Sequence, residues 1–443
     1  MRENHTVQRS IFEHYAEHEI GLELKSMSAW LDQNMDLLDW VAADINPCPV
    51  EDTGRKGLSV ESVLRCAILK QYRQLSYEDL VFCLMDSASC QTFARLSMRW
   101  FPRKSVLQRC ISAITDVTWE RINQRLLHHA TKVENGRMLR IDSTVTATPI
   151  HEPSDSSLLW DSVRVLVRLL RQAEELAGGI KYCNHQRVAK KRMRAIVYTR
   201  GQDKKARLYR DLIEVTRKSL GYAEAASLRL EVLGDSLACE AWQAQWQHYR
   251  LLILRTIDQT ERRVFAKEKV PANEKVISLF EEHSDIIVKG ARDVQYGHKI
   301  NLSTGRSGLV LDVVIEEGNP ADSERFMPML KRHIENYGRA PRQMAADGGY
   351  ASIENLREAQ KLQVKDVAFH KKRGLRVEEM AKSPWVYRKL RNFRAGIEAG
   401  ISCLKRAYGL GRCTWKGLTH FRAYVWSSVV AHNLALFSRL QPT

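Results

Sequence analysis

The chain has 443 residues, 44% of them hydrophobic and 27% charged, a globular composition long enough for about two to four domains. Lys and Arg number 69 against 52 Asp and Glu, giving +17 at pH 7, an excess that favours a polyanion, either nucleic acid or an anionic membrane. The membrane reading fails, because MRENHTVQRSIFEHYAEHEI has no apolar signal core and no run of about eighteen uninterrupted apolar residues occurs. The 9 cysteines form no C-x-x-C pair, and Cys183-x-His185 lacks partners, so neither a disulfide framework nor a zinc site is expected. These features predict a cytoplasmic protein that handles nucleic acid.

Residues 1–56 read as a helical segment. Over 57–135 the helical period is clear: Ser59 caps a helix with Val60, Val63, Leu64, Ala67 and Ile68 on its apolar face, and Ser76 with Asp79 opens another. PRKSVLQRCISAI is a short basic helix with Leu107 and Ile111 inward. Short helices joined by tight turns predict a helix-turn-helix-like DNA-binding domain with Arg103, Lys104 and Arg109 facing DNA; a helical bundle with a solvated basic face accounts for the pattern equally well. At 136–155 the chain turns β-branched and alternating, and MLRIDSTVTATPI is a strand carrying Asp142.

Residues 156–282 return to helix. Within them Lys190, Lys191, Arg192, Arg194, Arg200, Lys204, Lys205 and Arg207 cluster as a surface for phosphate contact, or as a solvated helix face. Over 283–443, HSDIIVKG is a strand, and GHKINLSTG with SGLVLDVVIEEG is a hairpin. A helix follows, then RQMAADGGY, a strand ending in Asp347 and two glycines. Another helix, the strand VKDVAFH, the helix SPWVYRKLRNFRAGIEAGISCLKRAYGL and a last apolar helix from about Phe421 to Phe437 complete the order. With 156–282 set aside, this is the order of an RNase H-like α/β domain. The expectation is a multidomain α + α/β protein: a helical N-terminal DNA-binding region, then an RNase H-like catalytic domain interrupted by a long helical insertion.

An acidic residue inside a strand is costly unless paired or metal-bound. In an RNase H-like sheet the strands of Asp142 and Asp347 are neighbours, so their carboxylates can share an ion. Oxygen ligands suit Mg²⁺. A third carboxylate is expected from the helix after the last strand. Glu398 fits, with Arg394 and Lys405 on the same helical face to grip flanking phosphates. Asp312 competes with Asp347 as the second ligand, but its strand is a hairpin strand and its direction is open. His151, Glu152, Asp155 and Asp161 follow the first strand and read as capping and pairing residues of the next helix, with a place lining the site as the alternative, and His298 or Lys299 as a DNA contact.

Asp142, Asp347 and Glu398 stand in the order of the DDE transposases of bacterial insertion sequences. R-x3-E-x6-K, here Arg394, Glu398 and Lys405, resembles the signature helix of their IS-four and IS-five-like superfamily. That signature usually begins with Tyr where this sequence has Arg391, so the resemblance carries over the metal site and not a tyrosine hydroxyl. More closely, the chain is similar to the ISNCY transposases through SIFEHYAEHEIG, GLSVESVLRCAILKQYRQLSYEDL, RIDSTVTATPIHEPSDSSLLWDSVRVLVRLLRQAE and RVAKKRMRAIVYTRG.

The resemblance implies an enzyme that binds the terminal inverted repeats of its element, cuts the ends with Mg²⁺ (Mn²⁺ as substitute) and joins them to target DNA. The chemistry would be a two-metal, in-line displacement at phosphorus with no Ser or Tyr nucleophile, although Ser143 and Tyr350 lie near the carboxylates. It also implies double-stranded DNA as partner, a homodimer as the minimum on DNA, and a bacterial, nucleoid-associated location. Two other readings stay open: a catalytically inactive DNA-binding regulator, and a metal-dependent nuclease without strand transfer. In some relatives the insertion supplies an aromatic that stacks on an extruded base. Here Trp242 and Trp246, four apart, are the candidates for that role, with a place in the helical core as the alternative.

Overall fold

The computed structural model describes residues 15–46, 57–96, 101–233, 236–289, 293–371 and 373–440. Cys48 and parts of the segments expected at 1–56 and 57–135 lie outside them. The chain leads with helices α1 (Glu19–Asp32), α2 (Leu37–Ile45), α3 (Val60–Tyr72), α4 (Tyr77–Asp86), α5 (Ala88–Phe93), α6 (Lys104–Ser112) and α7 (Asp116–His129). Strand β1 (Met138–Ala147) follows, then α8 (Asp155–Ala177), α9 (Gln186–Tyr198), α10 (Gln202–Leu233) and α11 (Leu237–Val264). The remainder is β2 (Asp285–Lys289), β3 (Asp293–Thr304), β4 (Val310–Ile315), α12 (Asp322–Tyr337), β5 (Gln343–Ala346), α13 (Ile353–Lys361), β6 (Asp366–Phe369), α14 (Val377–Met380), α15 (Pro384–Ala407) and α16 (Leu418–Leu440). Two compact units result, one of residues 1–149 with 287–443 and one of 150–286.

The first unit is built on a mixed sheet of order β2-β3-β1-β5-β6, with β4 also pairing β3. β1 runs antiparallel to β3 and parallel to β5, which is in turn parallel to β6. β1 is covered on both faces: Leu139, Ile141 and Val145 are buried on one, and Arg140, Thr144 and Thr146 on the other. The N-terminal helices share one apolar core with this sheet, through Leu64 of α3, Trp119 of α7 and Phe421 of α16.

α16 is apolar on every side and therefore central. Its one buried amide is fully used: Asn433 donates to Asn123 Oδ1 (2.7 Å) and to the Val310 carbonyl (2.8 Å), and accepts from the Val310 amide (2.9 Å). These bonds pin α16 to α7 and β4 without leaving a buried polar group unpaired. The Ser76–Asp79 capping box at the head of α4 forms as the sequence suggests.

The second unit packs α8, α9, α10 and α11 around Leu166, Ile213, Trp246 and Ile253. Trp242 and Trp246 are both 2% exposed and stack on each other with ring centroids 6.2 Å apart. Trp242 Nε1 donates to the Leu169 carbonyl at 2.8 Å. The expected base-stacking role is corrected here: both rings are core, and neither face is open to a nucleotide. Among the described residues no helix is long and apolar enough to cross a membrane, and the eight described cysteines are free thiols.

Candidate active site

The parallel register pairs Ile141 of β1 with Ala346 of β5. Asp142, which continues β1 beside β3, and Asp347, which follows the last residue of β5, therefore lie side by side. α15 packs across β1, β5 and β6. It starts with Ser383 accepting from the Val386 amide and with Pro384 in the first turn, both good helix-opening choices. One turn apart on its sheet-facing side stand Arg394 and Glu398.

Arg394 is the hub. Its guanidinium lies 3.0 Å from Asp142 Oδ2, 3.5 Å from Asp347 Oδ1 and 2.6 Å from Glu398 Oε1. The arginine side chain is 10% exposed and Asp142 14%, whereas Asp347 is 40% and Glu398 60% exposed, so the group is closed at the sheet and open at the helix. Asp142 Oδ1 accepts from the Ser143 amide at 2.8 Å. Three carboxylates around one guanidinium leave an excess of negative charge in a partly desolvated place, where Coulomb terms exceed those in water.

That excess and the all-oxygen donor set fit a hard divalent cation. Arg394 Nε is buried without a hydrogen-bond partner, so the guanidinium is not fully satisfied where it sits. Among the described residues no three acidic, His or Cys side chains converge as a ready-made metal cage, because the guanidinium stands between the carboxylates.

Two neighbours complete the chemistry of this place. Tyr350 is fully buried and donates to Asn301 Oδ1 at 2.6 Å. Burial first, then the negative charge of Asp322, Asp142 and Asp347, pushes its hydroxyl well above the usual phenol range. Its hydroxyl proton is engaged in the bond to Asn301. Arg140 lies two residues before Asp142, hence on the same strand face. It donates to Thr304 Oγ1 and to the Phe393 carbonyl, both at 2.7 Å, and its guanidinium lies 4.7 Å from the Phe393 ring centroid. A Cβ on Gly396 would meet the Arg140 guanidinium nitrogen at 2.1 Å. Sequence reasoning passed over this Arg140–Gly396 seat. The signal was a glycine inside a long helix, which costs about 1 kcal/mol and so demands a packing reason.

The other expected residues separate. Asp312 is buried and takes a two-pronged bond from Arg332 (2.6 and 2.8 Å), so it is a structural partner outside the carboxylate cluster. Lys299, expected at DNA, is corrected: its side chain is 6% exposed, paired with Asp322 at 2.6 Å and donating to the Pro320 carbonyl at 2.7 Å. The head of α12 covers this face of β3 and supplies both partners of the lysine. His298 is likewise buried against the Phe421 ring.

Asp155 pairs with Arg263, and Asp161 with Arg164. Arg103, Lys104 and Arg109 are exposed on or beside α6, with Lys104 in an ion pair to Glu78. Lys190, Lys191, Arg194 and Lys204 are exposed in the second unit, Lys205 is half-buried, and Arg192 pairs with Asp211. Lys405 lines a cleft seven residues beyond Glu398 on α15.

No curated protein and no solved structure matches the chain. Residues 289–434 match the family model described as a Transposase DDE domain. The matched stretch begins after Asp142 and contains Asp347, Arg394, Glu398 and Lys405, and it supports a DDE transposase family and a transposase function for this chain.

Proposed function

We propose that the protein is an RNase H-like DDE transposase that binds the terminal inverted repeats of its own insertion sequence, cleaves the DNA at those ends and joins them to target DNA. The observation that carries the proposal is the gathering of Asp142, Asp347 and Glu398 about Arg394, with three negative charges against one positive. Asp142, Asp347 and Glu398 would hold Mg²⁺, with Mn²⁺ as substitute. When bound, the metal supplies an activated water or 3′-hydroxyl and neutralises charge at phosphorus. Arg394 neutralises negative charge beside the scissile phosphate and sets the spacing of the carboxylates. Lys405 holds a flanking phosphate.

The exposed Arg103, Lys104 and Arg109 are assigned to end recognition in a helix-turn-helix-like region, and the cluster around Lys190, Lys191, Arg194, Lys204 and Lys205 to unspecific phosphate affinity. Two ends handled together require at least a homodimer on DNA, acting at the bacterial nucleoid.

The test uses duplexes carrying the DNA that flanks the gene, incubated with the full chain and Mg²⁺. Wild type should nick at the repeat ends. Asp347→Asn should bind the same duplex and leave it uncut. Normal cutting by Asp347→Asn would remove the site from this reaction.

A further inference from the structure

At the far end of α15 lies a cleft of about 970 Å³, framed by α3, the head of α4, α6 and the 409–416 segment. Its lining holds Lys70, Lys104, Lys405, Arg412 and Lys416 against two acids, Glu78 and Asp79. Both acids are engaged: Glu78 pairs with Lys104, and Asp79 accepts from the Ser76 amide in the capping box. The lining therefore carries five cations against two acids, the cations coming from α3, α6, α15 and the loop after α15.

Lys70 is the unusual member. It is 5% exposed, and its ammonium sits 4.8 Å from the centre of the Tyr77 ring. Among the described residues no carboxylate forms an ion pair with it. Burial pushes its ammonium down to about 8. A buried cation without a counter-anion is costly, and an anion entering the cleft would offset that cost. The Trp415 indole in the same lining is buried, and its N–H has no hydrogen-bond partner.

We propose that this cleft binds the phosphodiester backbone of DNA and extends the candidate active site along α15. The inference rests on the transposase reading and names where the strand goes after the carboxylates. Several cations around a volume many times that of one phosphate suit a chain of phosphates better than a single anion. The geometry also fits. Glu398 and Lys405 are about 10 Å apart along the helix, and a duplex advances about 3.4 Å per nucleotide of a strand. A duplex laid along α15 would bring phosphates about three nucleotides from the reacting one to the cleft. Its loop is fixed to the strand of Asp142: the Ala147 amide donates to the Gly411 carbonyl (3.1 Å), and the Cys413 amide to the Ala147 carbonyl (2.8 Å).

The experiment measures affinity of the full chain for a labelled duplex over a range of salt concentrations. The variants are Lys416→Gln, Arg412→Gln/Lys416→Gln and Lys70→Met, each checked by thermal melting. If two phosphates are lost, the double variant should lower the slope of log affinity against log salt by about 1.8 and weaken binding roughly tenfold. Lys70→Met and Lys416→Gln should each lower the slope by about 0.9, and Lys70→Met should melt no lower than wild type. A wild type that binds duplex with a slope the double variant keeps would overturn the cleft and leave the transposase reading standing. A wild type without salt-dependent duplex binding would overturn both. Titration with inorganic phosphate guards against a small-anion site. Phosphate binding that the variants lose, with their duplex slope unchanged, would reassign the cleft away from DNA.

Discussion

On α15, Arg394 and Glu398 stand four residues apart and meet two more carboxylates on the middle strands of a sheet. On α11, Trp242 and Trp246 stand four apart and meet each other inside a helical bundle. The spacing is the same, and in both helices it aligns two side chains on one face. What that face meets differs. α15 lies across the sheet, where Asp142 stands within β1 and Asp347 just past the end of β5, and solvent still reaches Glu398. α11 lies against α8, whose Leu169 carbonyl accepts a hydrogen bond from the Trp242 indole N–H. The first pair is poised for chemistry and the second holds a core. Helical spacing says which side chains are neighbours, but the partner surface decides their use.

The sharpest way to break this contrast is to exchange its readouts. Glu398→Gln should lower cleavage by about 10²–10³-fold or more while leaving melting nearly unchanged, because the side chain is mostly exposed and its loss empties no core. Trp246→Ala should do the reverse. Removing a fully buried indole costs about 3–5 kcal/mol, and cleavage per folded molecule should remain at the wild-type level. A Trp246→Ala protein that melts normally and cannot cut would move this tryptophan back toward the DNA.

Asp312 gives a milder test within the first unit. Its carboxylate is buried under Arg332, which is itself 38% exposed and also touches Glu120 at 2.9 Å. Removal of one partner from a buried pair costs about 3–5 kcal/mol. Water can still reach this arginine, so Asp312→Ala should cost roughly 2–3 kcal/mol by chemical denaturation, with cleavage retained. Loss of cutting at full stability would make Asp312 an acid of the site.

These contrasts also mark what the sequence could carry. β1 was legible because its β-branched residues alternate around Asp142, and the Ser76–Asp79 cap because capping is local. The adjacency of Asp142 and Asp347 was legible from the order of the elements, although the Ile141–Ala346 register that sets it arises only from pairing. Lys299 was misread because a lysine in a strand looks solvent-facing until the element that covers its face, here the head of α12 with Asp322, is known. Arg394 was read toward phosphate, and its position among all three carboxylates depends on the height of α15 above the sheet, which no local pattern encodes.

That height is set by the smallest contact in the comparison. α11 is seated by tryptophans, whereas α15 is seated where Gly396 lets the Arg140 guanidinium pass to the Phe393 carbonyl. In an exposed helix Gly→Ala would stabilise by about 1 kcal/mol. Here the new methyl would meet a nitrogen whose side chain is buried and held at both Thr304 and Phe393. Moving it would leave a buried carbonyl unpaired, at about 1–3 kcal/mol, so Gly396→Ala should be destabilising by about 1 kcal/mol net. The double-mutant cycle with Arg140→Met separates this from propensity. With the guanidinium gone, the same Gly396→Ala change should turn stabilising, giving a coupling of at least about 1 kcal/mol. If Gly396→Ala raises the melting temperature in the presence of Arg140, the glycine is not what seats α15, and the spacing of Arg394 from the carboxylates must be set elsewhere along the helix.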